Sequence, residues 1–119
     1  MDAKALIISY LNAHVDAQVV SRVPAKRPPV FVRVLLAGGA GRLNQVIEER
    51  AFTVEAWAND EPTAHDLAAH VRSLLSRLDM WDGQPVYRYS EWGPPVDLPD
   101  ESGQYRYQYT FSIRLRIAA

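Results

Sequence analysis

The spacing of hydrophobic positions along the chain predicts two helices. Over Ala3–His14, apolar side chains recur at helical spacing, and Asp2 stands where an N-cap residue belongs. Before the second helix, Asn59, Asp60 and Thr63 offer capping oxygens, and Pro62 suits a first turn. The apolar face of this second helix repeats at i, i+3, i+4 and i+7 and comprises Ala64, Leu67, Ala68, Val71, Leu74, Leu75 and Leu78.

A period of two predicts four strands, which are Val30–Leu36, Asn44–Ala58, Val86–Trp92 and Tyr105–Ile117. Between the first two, Gly38, Gly39 and Gly41 predict a turn, because glycine adopts positive φ without steric cost. The second strand is longer than most, so we expect a bulge or bend near Glu48–Arg50. A proline-rich, acidic loop over Gly93–Gly103 separates the last two strands.

The order of these elements is α-β-β-α-β-β, and strands that follow one another directly favour hairpins. The sequence therefore predicts an α+β fold, with a mainly antiparallel four-stranded sheet and both helices packed on one face. The length of 119 residues fits a single domain over residues 1–119.

The last predicted strand is long for a domain of this size. From Tyr105 to Ile117 it would span about 43 Å, whereas a spherical domain of this length is about 35 Å across. Two interpretations stay open. Part of its apolar row could overhang the core and be covered by a neighbouring copy, or the strand could twist and be covered fully within the monomer.

Tyrosines concentrate in one half of this strand and in the strand before it. Because a tyrosine ring packs while its hydroxyl stays solvated, these residues suit an interface. If Tyr87 and Tyr89 pair with Tyr109 and Tyr107, the hairpin carries a tyrosine cluster on one face. The candidate oligomer interface consists of Tyr105, Tyr107, Tyr109, Tyr87, Tyr89 and Trp57.

Composition limits the chemistry that the chain can carry. Without cysteine there is neither a disulfide nor a thiolate metal site, and no apolar stretch is long enough to span a membrane. The N-terminal residues lack the pattern of a signal peptide, so we expect an intracellular protein. His65 and His70 are five positions apart, unsuited to one metal, and no Ser/His/Asp set emerges. We expect no enzyme, no cofactor and no metal site.

Arginine supplies eleven of the thirteen basic residues, although the net charge is only −1. Arg106, Arg114 and Arg116 share one face of the last predicted strand, and Arg33 lies on the first. Two interpretations stay open: a solvated sheet face, or an arginine surface that faces a partner or a polyanion.

Several segments together resemble the tail terminator proteins of long-tailed phages, especially those of actinobacterial hosts. They are Phe31–Val34, the Gly38–Gly39 turn, Thr53–Ala58, and Ala64–Leu78 with its Leu67-Ala68 and Val71–Leu75 runs. The resemblance covers about residues 3–117. It implies a hexameric ring in the virion, assembled in the host cytoplasm, that caps the tail tube, ends its polymerisation and joins the head connector. DNA would pass through the ring without sequence recognition.

The resemblance also implies where contacts would lie. Candidate contacts with the tube or connector are Gly38, Gly39, Arg42, Asp97, Asp100 and Glu101. The candidate lumen or polar-face arginines are Arg33, Arg106, Arg114 and Arg116, and the family has no residue motif that shows which of them line the lumen. The alternatives are another neck component, such as a head–tail connector or head-closure protein, and a homo-oligomeric bacterial ligand-binding domain.

Overall fold

The computed structural model describes residues 2–117, so the first residue and the last two of the expected domain lie outside the described residues. Within them are α1 Ala3–His14, β1 Gln18–Val20, β2 Val30–Arg42, β3 Ile47–Ala58, α2 Glu61–Ser76, β4 Met80–Trp81, β5 Gln84–Glu91, β6 Val96–Asp97 and β7 Tyr105–Arg116.

These strands form one mixed sheet in the order β1-β2-β3-β7-β5-β4, with β6 paired to β7. β1 runs parallel to β2, and the other pairs are antiparallel. The expected α+β fold with a four-stranded antiparallel sheet is wrong, because the chain is mostly β, with 45% of its residues in a seven-stranded, strongly curled half-barrel. β1, β4 and β6 are only two or three residues long, too short to show a period of two.

Both helices begin at a capping aspartate. Asp2 Oδ1 accepts a hydrogen bond from the Ala5 amide at 3.0 Å, and Asp60 Oδ1 accepts one from the Thr63 amide at 2.9 Å. The helices pack on one side of the sheet, which we call the helix face. Its core includes Ile7, Leu11, Val32, Val34, Phe52, Val54, Val71, Leu75, Tyr109, Phe111 and Ile113.

Side chains that alternate with those of the helix face form the opposite surface, the back face. By register it comprises Phe31, Arg33, Leu35, Thr53, Glu55, Trp57, Arg106, Gln108, Thr110, Ser112 and Arg114. Phe31 and Trp57 are stacked with ring centroids 5.1 Å apart, and both are buried although no helix covers them. The back face is therefore partly a second core.

β7 is an interior strand of the sheet. One of its edges pairs with β3 from Tyr105 to Arg116, and the other pairs with β5 and β6. The domain measures 45 × 25 × 24 Å, so it is elongated rather than spherical. The expected mismatch between a long strand and a short domain does not exist, because β7 runs along the long axis.

The glycines lie within β2 rather than in the turn expected for them. Register shifts relative to β3 occur between Leu36 and Gly38 and between Gly38 and Gly41, so the bulges belong to β2 and not to Glu48–Arg50. Gly39 has φ +106°, and a Cβ there would lie 2.7 Å from the Glu49 carbonyl oxygen. The chain reverses further on, where Asn44 Oδ1 accepts from the Val46 and Ile47 amides at 2.8 and 2.9 Å.

Candidate functional surfaces

Residues 36–47, which we call the hairpin end, carry the first group of candidate contacts. Gly38, Gly39 and Arg42 are all exposed there. Three apolar side chains that the sequence reasoning missed are exposed beside them: Leu36, Leu43 and Val46, at 50%, 42% and 52%. The hairpin end is therefore an apolar surface with a single cation, Arg42.

Residues 93–103, the loop end, carry the second group. Asp97 and Glu101 are exposed, whereas Asp100 accepts a hydrogen bond from Arg27 at 2.8 Å. Hydrogen bonds from Ser102 and Arg27 hold the pKa of Asp100 well below its usual range. The Leu98 amide donates to the Arg106 carbonyl at 2.8 Å, which fixes the loop on β7. The loop is therefore anchored at both Leu98 and Asp100.

The two groups lie far apart along the sheet. Arg42 pairs with Glu48 near one end of β3. Asp97 pairs with Tyr107, which stands opposite Ala56 near the other end. The separation from Glu48 to Ala56 is about 26 Å of extended chain. The structure thus places the hairpin end and the loop end at different ends of the long axis.

Three of the four candidate arginines have carboxylate partners on the back face. Arg33 Nε lies 2.6 Å from Glu55 Oε1, and Arg106 lies 3.9 Å from Glu55 Oε2. The Nε of Arg114 lies 3.8 Å from Glu49 Oε1, close enough for an ion pair but too long for a hydrogen bond.

Arg116 is exposed and makes no ion pair with any residue between 2 and 117. The back-face arginines are thus largely charge-compensated, since only Arg116 among the four candidates lacks a carboxylate partner in that range.

Glu55 is the centre of this back-face cluster and is only 4% exposed. Besides the arginines, it accepts a hydrogen bond from Trp57 Nε1 at 3.1 Å. The guanidinium groups of Arg27 and Arg106 lie 5.4 and 5.1 Å from the Trp57 ring centroid, within cation–π range. Trp57, a candidate interface residue, is therefore covered within its own chain and only 2% exposed.

The sequence carried no local signal for this cluster. The hairpin pairs Arg42 with Glu48 and is therefore centred on Gln45, which in a regular hairpin would put Arg33 opposite Trp57. Arg33 stands opposite Glu55 because the two bulges of β2 shift the register.

The tyrosines of β5 and β7 do not form the expected cross-strand pairs. Tyr87 pairs with Arg114, and Tyr89 lies in a bulge where its ring stacks on Phe111 at 5.5 Å. Tyr87 is exposed, Tyr105 and Tyr107 are half-buried, and Tyr109 is buried. The six candidate interface residues are thus not one surface.

A cleft of about 440 Å³ lies between α2 and the loop end. Arg72 on its wall donates to both carboxylate oxygens of Glu91, at 2.6 and 2.7 Å, and Tyr89 donates to the same group at 2.8 Å. The hydrogen bonds from Arg72 lower the pKa of Glu91, and burial raises the pKa of Tyr89. Arg72 and Glu91 therefore neutralise each other on the wall of the cleft.

In the described part of the chain, no group of three or more His, Asp or Glu side chains is placed to hold a metal ion. Neither helix there has the length and apolar character needed to cross a membrane.

No protein-family model matches the sequence, and none of the curated proteins matches it. The resemblance to tail terminator proteins therefore stays a prediction.

Proposed function

We propose that the protein is a phage tail terminator that assembles into a ring of six copies, caps the tail tube and provides the joint to the head connector. The observation that carries the proposal is the placement of two different contact surfaces at the two ends of one elongated subunit. A ring with this axis upright would present all hairpin ends on one side and all loop ends on the other.

The chemistry of the two ends supports different partners. The hairpin end exposes Leu43 and Val46 at its tip and suits an apolar interface with the tube. The loop end exposes Asp97 and Glu101 beside two apolar side chains, Val96 at 49% and Leu98 at 38%, on an anchored segment, which suits a partner with both basic and apolar groups, such as a connector.

The pairing of the back-face arginines with carboxylates is compatible with passage of DNA through the ring. Tight phosphate binding requires cations that replace counterions. Arg33, Arg106 and Arg114 already face carboxylates. A lumen lined by such pairs would let DNA pass without holding it.

The direct test combines native mass spectrometry, negative-stain microscopy and a capping assay. Tail-tube subunits of the encoding phage are polymerised with and without the protein. We expect a six-fold ring at one end of each tube and a shorter length distribution. A twelve-fold ring would instead support a connector, and a protein that neither forms a ring nor binds tubes would contradict the proposal.

Paired variants test the assignment of the two ends. Leu43→Asp with Val46→Asp should abolish tube binding and leave the ring intact, because both side chains are exposed. Glu101→Arg at the other end is the matched control and should still cap tubes. Equal tube binding by both variants would show that the hairpin end does not meet the tube.

A further inference from the structure

The half-barrel does not close, so the sheet has two edges. β1 pairs with β2 only from Phe31 to Arg33, and within residues 2–117 no strand pairs with the outer edge of β2 beyond that point. At the other side, β4 pairs with β5 only at Gln84 and Pro85. The Val86 amide donates a hydrogen bond to the Asp79 carbonyl. Beyond Val86, no strand among the described residues pairs with the outer edge of β5.

These two open edges lie at the same level of the sheet. Leu36 of β2 stands opposite Phe52, Phe52 opposite Phe111, and Phe111 opposite Glu91 of β5. One residue away along the strands, Leu35 stands opposite Thr53, and Thr53 stands opposite Thr110. The Thr110 carbonyl accepts a hydrogen bond from the Trp92 amide at 2.9 Å. The edges therefore need no shift along the strands to meet.

The strand directions also match. β2, β3, β7 and β5 alternate in direction, so β5 runs opposite to β2. If β5 of one copy lies beside β2 of the next, the new pair is antiparallel and all copies keep the same orientation. Such a contact is heterologous and can close a ring.

Edge chemistry favours this contact. Val34–Leu36 is the regular part of the open β2 edge and has neither charge nor proline, the features that proteins use to block edge pairing. Trp92, 60% exposed, would extend from β5 on the back face at the level of Leu35, which is half-buried. An aromatic–aliphatic cross-strand pair of this kind stabilises sheets.

β5 also has an unusual backbone conformation beside the proposed contact. Arg88 has φ +46° although it is not glycine, and its side chain is exposed. The register of β5 against β7 shifts between Tyr87 and Ser90. The bulge ends just before Ser90 and Glu91, so the regular part of the β5 edge coincides with that of β2.

We propose that the outer edge formed by Ser90 and Glu91 of β5 and by Trp92 after it docks beside the outer edge of β2 at Val34–Leu36 of a second copy, so that the sheet continues from copy to copy. The contact deepens the proposed function and rests on it, because both require copies to assemble. It assigns the ring interface to β2 and β5 rather than to the tyrosines of β7.

The absence of cysteine allows a direct crosslinking test. Ala37→Cys and Ser90→Cys change exposed residues near the two edges. With a short bis-maleimide, the double variant should give a ladder of covalent multimers up to the ring size. An equal mixture of the two single variants should give dimers only. The matched control is Ala13→Cys with Ser73→Cys, exposed on the helices, and should stay monomeric on denaturing gels.

Each alternative result overturns the contact. Dimers from Ala37→Cys alone would show β2 meeting β2, and no ladder from an assembled double variant would place the interface elsewhere. Trp92→Asp should weaken assembly at least tenfold without changing monomer melting, whereas Leu43→Asp should not. If tubes are capped but no ladder forms, the contact is wrong and the function stands. If the ladder forms but tubes are not capped, the function is wrong and the contact stands.

Discussion

The two faces of β3 are buried in different ways. On the helix face, Phe52 and Val54 pack against apolar side chains from both helices and β7. On the back face, Glu55 and Trp57 are as well covered, but by arginines and by each other. One strand therefore separates a core of apolar side chains from a core that combines the stacked Phe31 and Trp57 rings with paired charges.

The difference matters because the two kinds of burial respond differently to change. Loss of apolar area costs energy in proportion to the area and the cavity left behind. Loss of one partner in a buried ion cluster costs more than the cluster contributes, because the other charge stays buried without a partner. Substitutions on the two faces can measure this contrast.

The largest effect is expected on the helix face. Phe111→Ala should lower the free energy of unfolding by about 3–5 kcal/mol, since Phe111 is fully buried against Phe52 and Tyr89. Urea denaturation measures it. Tyr87→Ala, at an exposed position of β5, is the control and should change stability little. Equal losses in both variants would contradict the assignment of the core.

On the back face, Glu55→Ala should lower the free energy of unfolding by about 3 kcal/mol. This is the low end of the range for breaking a buried ion pair, because the Arg33 side chain is 23% exposed. In a double-mutant cycle, Arg33→Ala with Glu55→Ala should cost less than the sum of the single changes. Strictly additive losses would show that the two groups do not interact.

Adjacent positions allow a comparison of nearly equal side-chain shapes. Val54→Thr places a hydroxyl in the apolar core and should cost about 2 kcal/mol. Thr53→Val removes the 2.8 Å bond to Thr110 on the half-exposed back face and should cost about 0.5 kcal/mol. Thermal melts of both variants check the order, and a reversed order would mean that the faces are assigned wrongly.

A small effect that depends on pH is expected at the edge of the back-face cluster. Arg27→Ala removes a partly exposed ion pair and a cation–π contact and should cost about 1 kcal/mol. The pKa of Asp100 is lowered by folding, so the stability linked to its charge is present above its ordinary pKa of about 4 and is lost as the pH falls below it. The difference between parent and variant should thus be constant from pH 5 to 8 and shrink below about pH 4. A difference that grows in acid would refute the role of Asp100.

Local signals in the sequence located most long elements. α1 spans the predicted residues, and β7 ends one residue before the predicted end. The strand order could not be predicted from the sequence, because β1, β4 and β6 are too short to show a hydrophobic pattern and are defined by the strands that they pair with. Partner choice in a sheet is decided by non-local packing.

The candidate surfaces were predictable in part, for related reasons. The hairpin end and the loop end contain the expected glycines and acids, since turn chemistry is local. The burial of Trp57 was not predictable, because it depends on Arg27 and Arg106 from separate segments. The tyrosine pairing was wrong because β5 pairs with a different part of β7: Tyr87 stands opposite Arg114, five residues beyond the expected Tyr109, and a hydrophobic pattern does not fix this register.

The interior position of β7 has a consequence for biosynthesis. β7 follows every other strand of the sheet in the chain, yet it joins β3 to β5. During translation, the edges of β3 and β5 that pair with β7 therefore stay unpaired until β7 has been synthesised. The central part of the sheet forms only after the whole chain has emerged. A nascent chain that stalls before Tyr105 would expose Phe52 and Val54 and be a target for chaperones.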